Sequence, residues 1–191
     1  LDSALAREDV HFVPICAEPE RRGALTELAA RAGKHVYLDK EPASSVAGAR
    51  AVAQEVRKAG VRSQSFSLVR SNLARRARDL VASGELGELQ AMHCEMYFSK
   101  GISGTADLER PRVERADVPR LTFIDSKREL LCVGWYPLVM MQWLTGSPAA
   151  RVAGVTSNYF FASHQTNQVE DFANLSLEYA NGLNTTISVG R

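Results

Sequence analysis

Residues able to do chemistry are sparse in this sequence, and their spacing first of all excludes. Cys16, Cys94 and Cys132 are scattered and odd in number, with neither a metal-ligand spacing nor a disulfide framework. They read as reduced thiols of a cytosolic protein. His11, His93 and His164 show no metal spacing with any carboxylate or cysteine, so no metal site is expected. What remains lies in short polar links after apolar runs: Ala17-Glu18-Pro19 after Cys16, Asp39-Lys40 after Leu38, and Arg70 after Val69. A lysine there can stabilise a developing negative charge and lower a neighbouring acid's pKa. A tyrosine such as Tyr136, with a phenol near pKa ~10, works as an acid/base at neutral pH only beside a cation.

The elements that must carry those links alternate over the first third of the chain. Val10–Cys16 and His35–Leu38 read as buried strands, although Pro14 counts against a central strand because it cannot donate to the ladder. Between them Pro19 suits a helix start, Leu25, Leu28, Ala29 and Ala32 make one helical face, and Gly33 suits the cap. Ser44 or Ser45 caps a second helix with Ala49, Val52, Ala53 and Val56 inward, ending at Gly60. Val61–Val69 reads as a third strand. Strand, helix, strand, helix, strand with short links predicts a parallel sheet, which binds ligands beyond the carboxyl ends of its strands.

The remainder has a different grammar. A helix is expected over Leu73–Ser83, with Leu73, Ala77, Leu80 and Val81 on one side, then a strand over Leu89–Phe98. Residues 99–125 are polar, without periodicity, and read as a functional or disordered loop. Ser126-Lys127-Arg128-Glu129 fits a capping box before an apolar stretch to Leu144, broken by Gly134 and Pro137, where a helix either kinks at Pro137 or starts there. Arg151–Phe161 is strand-like. Asp171–Tyr179 and Leu183–Val189 alternate about Ala180-Asn181-Gly182, a hairpin with an Asn-Gly turn, one face packed and one wetter. The fold class expected is therefore α/β: a partial doubly wound parallel sheet over 1–68, then a partial α/β domain with an open antiparallel sheet over 69–191.

The chain has 23 basic and 22 acidic residues among 191, a formal charge of +1. That argues against nucleic-acid binding through bulk positive charge. Arg75, Arg76 and Arg78 form a basic run with Arg70, but Asp79 and Glu85 follow, and a solvated helix face is expected. No stretch approaches the roughly 18 uninterrupted apolar residues of a membrane helix. No membrane partner is expected, and the location expected is cytoplasmic, with an upstream export signal left open because the chain opens at Leu1.

Four segments, in order, resemble the Gfo/Idh/MocA oxidoreductases. Gly33-Lys34-His35-Val36-Tyr37-Leu38-Asp39-Lys40 resembles their "GKHV-x-x-E/D-K-P" segment, and Ile15-Cys16-Ala17-Glu18-Pro19 their strand-end loop along the dinucleotide. Leu80–Glu88 resembles the "sGelGe" helix end. Leu131-Cys132-Val133-Gly134-Trp135-Tyr136-Pro137-Leu138, with Trp143-Leu144-Thr145-Gly146, resembles "L-D-x-G-x-H/Y-x-L…W-L-x-G". The resemblance implies a Rossmann domain, a C-terminal domain with an open sheet, and hydride transfer between NAD or NADP and a sugar, cyclitol or related alcohol. No G-x-G-x-x-G occurs, so by the family pattern the chain is a fragment, inactive by itself, lacking the glycine-rich turn and the C-terminal end.

By position the resemblance makes Lys40 and Tyr136 the catalytic candidates, Lys40 helping and Tyr136 taking the hydroxyl proton. Ala17, Glu18, Pro19, Asp39, Lys40 and Arg70 become cofactor contacts, and Lys40, Cys132 and Tyr136 substrate contacts. The bland alternatives are a surface lysine, a packing aromatic, a domain-bridging arginine, and a core-filling Cys132 where many members carry an Asp. Glu41 stands where the family has proline, with Pro42 one place late. A cis bond of the family's Lys-Pro kind would cost about 3 kcal/mol at Lys40-Glu41, so Lys40 is expected to aim differently or to pair with Glu41. The family often has His near Arg22. The alternative to an enzyme is a non-catalytic relative acting as a cofactor- or ligand-binding regulator or scaffold. A full-length protein would form a homo-oligomer through the open sheet.

Overall fold

The computed structural model describes residues 2–98 and 128–190, in two compact units, Leu1–Phe66 and Ser67–Arg191. The predicted loop over 99–125 and the capping serine Ser126 lie outside the described residues.

The first unit opens with the short helix α1 (Asp2–Leu5), then β1 (Phe12–Ile15), α2 (Pro19–Arg31), β2 (His35–Leu38), α3 (Val46–Ala59) and β3 (Ser63–Ser65). The three strands form one parallel sheet in the order β1-β2-β3. Pro14 lies within β1, opposite Tyr37 of β2 in the parallel register. Ile15, Val36 and Leu38 from the strands pack with Ala29 of α2 and Val52 and Val56 of α3. Each large apolar side chain buried this way contributes about 1.5–3 kcal/mol. Ser45 caps α3, its hydroxyl accepting from Gly48 N at 3.1 Å, and Gly60 closes the helix at φ +67°.

Two expectations fail in this unit. The buried face of α2 is Pro19, Arg22, Thr26, Ala29 and Ala30, whereas Leu28 is 46% exposed and Ala32 lies outside the helix as its cap. The periodicity of apolar residues missed this because two polar side chains turn inward. The third strand is also only three residues long. The chain leaves it by Phe66, whose N–H still donates to Leu38 O, and coils into a 3-10 turn at Leu68–Arg70.

The second unit continues with α4 (Asn72–Ser83), β4 (Ala91–Tyr97), α5 (Glu129–Cys132), α6 (Trp135–Thr145), β5 (Ala149–Ser157), α7 (Ala162–Thr166), β6 (Phe172–Tyr179) and β7 (Asn184–Gly190). Its sheet runs β4-β7-β6-β5. The β5-β6 and β6-β7 pairs are antiparallel, and β4 joins β7 in parallel, so the open sheet is mixed. Ala173, Leu177 and Tyr179 of β6 with Ile187 and Val189 of β7 point to one face, packed with Val133 and Met141. Asn174, Ser176, Asn184 and Thr186 occupy the other, exposed face.

The hairpin turns at the expected Ala180-Asn181-Gly182. Gly182 N donates to Tyr179 O, Tyr179 N to Leu183 O, and within the turn only Gly182 takes positive φ, at +85°. That is a three-residue loop with glycine in the left-handed position. The helical stretch before it breaks at Val133-Gly134, not at Pro137. Gly134 is required there by space, since a Cβ would lie 2.6 Å from Leu130 O. Pro137 then falls in the first turn of α6, where a backbone N–H has no intrahelical partner to lose. The helix α5 begins at Glu129, with Arg128 before it.

The helix α4 corrects one more expectation. Leu73 is 79% exposed, and Ala74 is buried instead. Arg78 is not a solvated charge: its Nη1 donates to Trp143 O at 2.8 Å and Leu144 O at 2.6 Å, its guanidinium lies 5.9 Å from the Trp143 ring, and Trp143 Nε1 donates to Ala74 O. A cation on the last carbonyls of α6 is favoured by the helix dipole. Gly146, at φ +62°, leaves room for it, since a Cβ there would meet Arg78 Nη2 at 2.5 Å. The Trp-Leu-Thr-Gly segment is thus a clasp between α4 and α6.

Candidate functional site

The loops after β1 and β2 meet through one side chain. Arg22, on the first turns of α2 and only 5% exposed, donates from Nε to Ala17 O at 2.7 Å and from Nη1 to Glu41 O at 2.6 Å and to Lys40 O. Its Nη2 lies 3.5 Å from Asp39 Oδ2. Thr26 Oγ1 fixes the helix beneath it by donating to Arg22 O at 2.7 Å. A guanidinium loses much hydration on burial. Here three carbonyls and a half-exposed carboxylate replace that water. Asp39 N donates to Ile15 O at 3.1 Å, and Asp39 Oδ1 accepts from Lys40 N at 2.8 Å, so the Asp39-Lys40 link is held from both sides.

Glu41 is buried, and its Oε2 lies 3.8 Å from Lys40 Nζ. This is the ion pair considered for a chain in which Glu41 follows the lysine. Burial pushes the Glu41 carboxyl above its ordinary range, while Lys40 and Arg22 pull it back. The Lys40-Glu41 peptide is cis, contrary to the expectation for a bond without proline. Of the remaining candidates in this unit, Ala17 offers its carbonyl to Arg22, Glu18 is exposed one residue before α2, and Pro19 is its buried first residue.

In the second unit Tyr136 is the second residue of α6, half-buried, with its N–H on Val133 O. Cys132 ends α5 and packs against the apolar cluster of Val133, Leu177 and Ile187, the setting of a core filler. Arg70 is exposed at the end of the 3-10 turn. Burial, with Glu95 nearby, pushes the Cys94 thiol up, away from thiolate chemistry. Among the described residues no group of three or more His, Cys, Asp or Glu could hold a metal ion.

Arg22 and Asp171 are buried ionic centres that the sequence alone did not reveal. In the sequence Arg22 stands only as the occupant of a position where His is frequent. Asp171, fully buried, takes the N–H groups of Tyr159, Phe160 and Phe161 at 2.7–2.9 Å. The one available signal for Asp171 was an acid directly before an alternating strand, too common to act on.

The parallel sheet with its clamped strand-end loops, followed by an open mixed sheet, defines an α/β chain of two units. The family model for the GFO/IDH/MocA C-terminal domain matches residues 74–191, and the chain belongs to that family. It is 29% identical over 147 residues to dTDP-3,4-didehydro-2,6-dideoxy-alpha-D-glucose 3-reductase of Streptomyces violaceoruber, covering 76% of this chain and 39% of the relative. Aldose-aldose oxidoreductase from Caulobacter crescentus, solved with glycerol, superposes with TM-score 0.76 at 25% identity, over 99% of this chain and 53% of that one. Myo-inositol 2-dehydrogenase from Lactobacillus plantarum superposes with TM-score 0.80 at 19% identity, over 99% and 53%; at that identity the likeness is one of fold. The chain spans about half the length of these solved structures. No helix among the described residues is long and apolar enough to cross a membrane.

Proposed function

We propose that this chain is part of an NAD(P)-dependent oxidoreductase that moves hydride between nicotinamide and a sugar, cyclitol or related alcohol or carbonyl. The supporting observation is the clamped Asp39-Lys40 link at the carboxyl ends of β1 and β2, where parallel sheets receive ligands. The relatives' names, a sugar-nucleotide reductase and an aldose oxidoreductase, point to the same chemistry.

The residues present fit only one end of a dinucleotide. No glycine-rich turn for the pyrophosphate lies in the 191 residues. Ala17, Glu18 and Pro19 form a short loop level with Asp39 and Lys40, through the bonds Arg22 makes to both links, and suit the nicotinamide end, with Arg70 as a further contact. When bound, the cofactor supplies the hydride acceptor or donor. In the oxidative direction Tyr136 takes the proton from the substrate hydroxyl, and the Lys40 ammonium stabilises the oxygen as negative charge builds on it. Cys132 adds one weak contact at most, a thiol being a poor partner for hydroxyls, which suits a substrate with fewer hydroxyls. In the whole protein residues 1–68 complete a cofactor domain, 69–191 a substrate domain, and the wet sheet face pairs two copies.

Cys132 on the apolar cluster and Glu41 in the proline place favour a second reading, a non-catalytic cofactor- or ligand-binding regulator. The two separate in one experiment on the full natural-length protein. Sugars, cyclitols and related alcohols are screened with NAD+ and NADP+ at the nicotinamide absorbance band, alongside cofactor binding. Turnover supports the enzyme, binding without turnover supports the regulator, and neither overturns both.

A further inference from the structure

We propose that Arg22 is the positioning residue of the Lys40 segment, holding the loops after β1 and β2 in one fixed arrangement. The inference rests on the reading that Lys40 works at the site of hydride transfer. It is carried by geometry that links no neighbours in sequence. Nε takes Ala17 O at 2.7 Å, and Nη1 takes Glu41 O at 2.6 Å together with Lys40 O. One of these carbonyls belongs to the Lys40-Glu41 peptide and the other to the peptide after it, so a shift of the loop that re-aims Lys40 must break one or both. The remaining arm faces Asp39, the residue before the lysine.

The fork shape is essential to this role. A guanidinium presents five donors in one rigid plane, whereas an ammonium has three on a freely turning point. A lysine at position 22 could keep the charge and one carbonyl but not carbonyls from two loops in one plane. The side chain is 6% exposed and reaches the loops from below, on the helix α2. It therefore acts through Lys40 rather than on a ligand.

The test uses the full natural-length protein with Arg22→Lys, Arg22→Gln and Arg22→Ala, the glutamine variant serving where the lysine variant does not fold. With substrate and cofactor found for the wild type, kcat is expected to fall about 10- to 100-fold through misplacement of the reacting group, with KM for substrate within about twofold. Millimolar guanidinium should restore part of kcat in Arg22→Ala. Amide hydrogen exchange at residues 17–18 and 39–42 should quicken at least roughly tenfold while that of His35–Leu38 stays unchanged, the mark of a local opening. Unchanged kcat with unchanged exchange at 39–42 overturns the proposal. If the wild type shows no turnover, the oxidoreductase reading fails, and the exchange comparison alone then decides on the clamp.

Discussion

Arg22 and Asp171 are two buried ions of opposite sign that solve the same problem in the two units. Each collects three backbone groups that neither sheet nor helix can satisfy. Arg22 gathers carbonyls of residues 17, 40 and 41, from two loops at the ends of two strands. Asp171 gathers N–H groups of residues 159, 160 and 161, all from the one turn between β5 and α7, while its own N–H bonds Ser157 O. The difference lies in what is tied. Asp171 fixes a local turn beside an edge strand and is a scaffold element. Arg22 ties segments remote in sequence, and one of them carries Lys40, beyond the carboxyl end of β2.

That contrast can be broken. Asp171→Ala leaves three N–H groups without their acceptor and should cost about 3 kcal/mol or more. Both tryptophans, Trp135 and Trp143, lie in the second unit, so urea titration followed by their fluorescence reads the loss directly. Arg22→Ala should open the loops after β1 and β2 locally, read by faster amide exchange at residues 17–18 and 39–42 with that of β2 unchanged, and should lower kcat about 10- to 100-fold. If Asp171→Ala lowers kcat as far while the fold persists, the distinction between scaffold and positioning clamp fails.

A smaller effect is expected at the α4–α6 clasp. Gly146→Ala places a Cβ against the Arg78 guanidinium and forces alanine to φ +62°, for a loss of about 1 kcal/mol read by the same fluorescence titration. Smallest is a pH effect at Glu41. Its carboxyl titrates above the ordinary range in the folded protein. The protonated form therefore suits the fold, and that contribution is present at low pH and lost as pH rises through the folded titration. Glu41→Gln stays neutral throughout. The stability of the variant minus that of the wild type should grow as pH rises from about 4, checked by thermal melts across pH. A difference that shrinks would mean that the pairing with Lys40 outweighs burial.

The alternating strands and helices of the first unit were legible because apolar periodicity, a serine cap and capping glycines agree there. The hairpin of β6 and β7 was legible for the same reason, its two faces differing in polarity. Arg22 was not, because a periodicity of apolar residues counts an inward arginine as a surface residue and shifts the buried face of α2 onto Leu28. The short β3 was missed because Phe66–Val69 is apolar enough for a strand, yet the chain turns at Leu68–Arg70 to enter α4. Gly134 was read as a break, correctly, but its cause, the close Leu130 carbonyl, is a contact that no sequence pattern encodes. Lys40 and Tyr136 rest on resemblance and strand-end position. What holds Lys40 in place, the Arg22 guanidinium on its own carbonyl and that of Glu41, is a tertiary contact that no sequence pattern carries.

The most direct test of the account is turnover by Lys40→Ala and Tyr136→Phe in the full natural-length protein, with the substrate and cofactor found for the wild type. Loss of a positioned acid/base or its electrostatic helper should lower kcat about 100-fold or more, with thermal midpoints close to wild type. Unchanged turnover in both variants would contradict the assignment of the chemistry to these two residues.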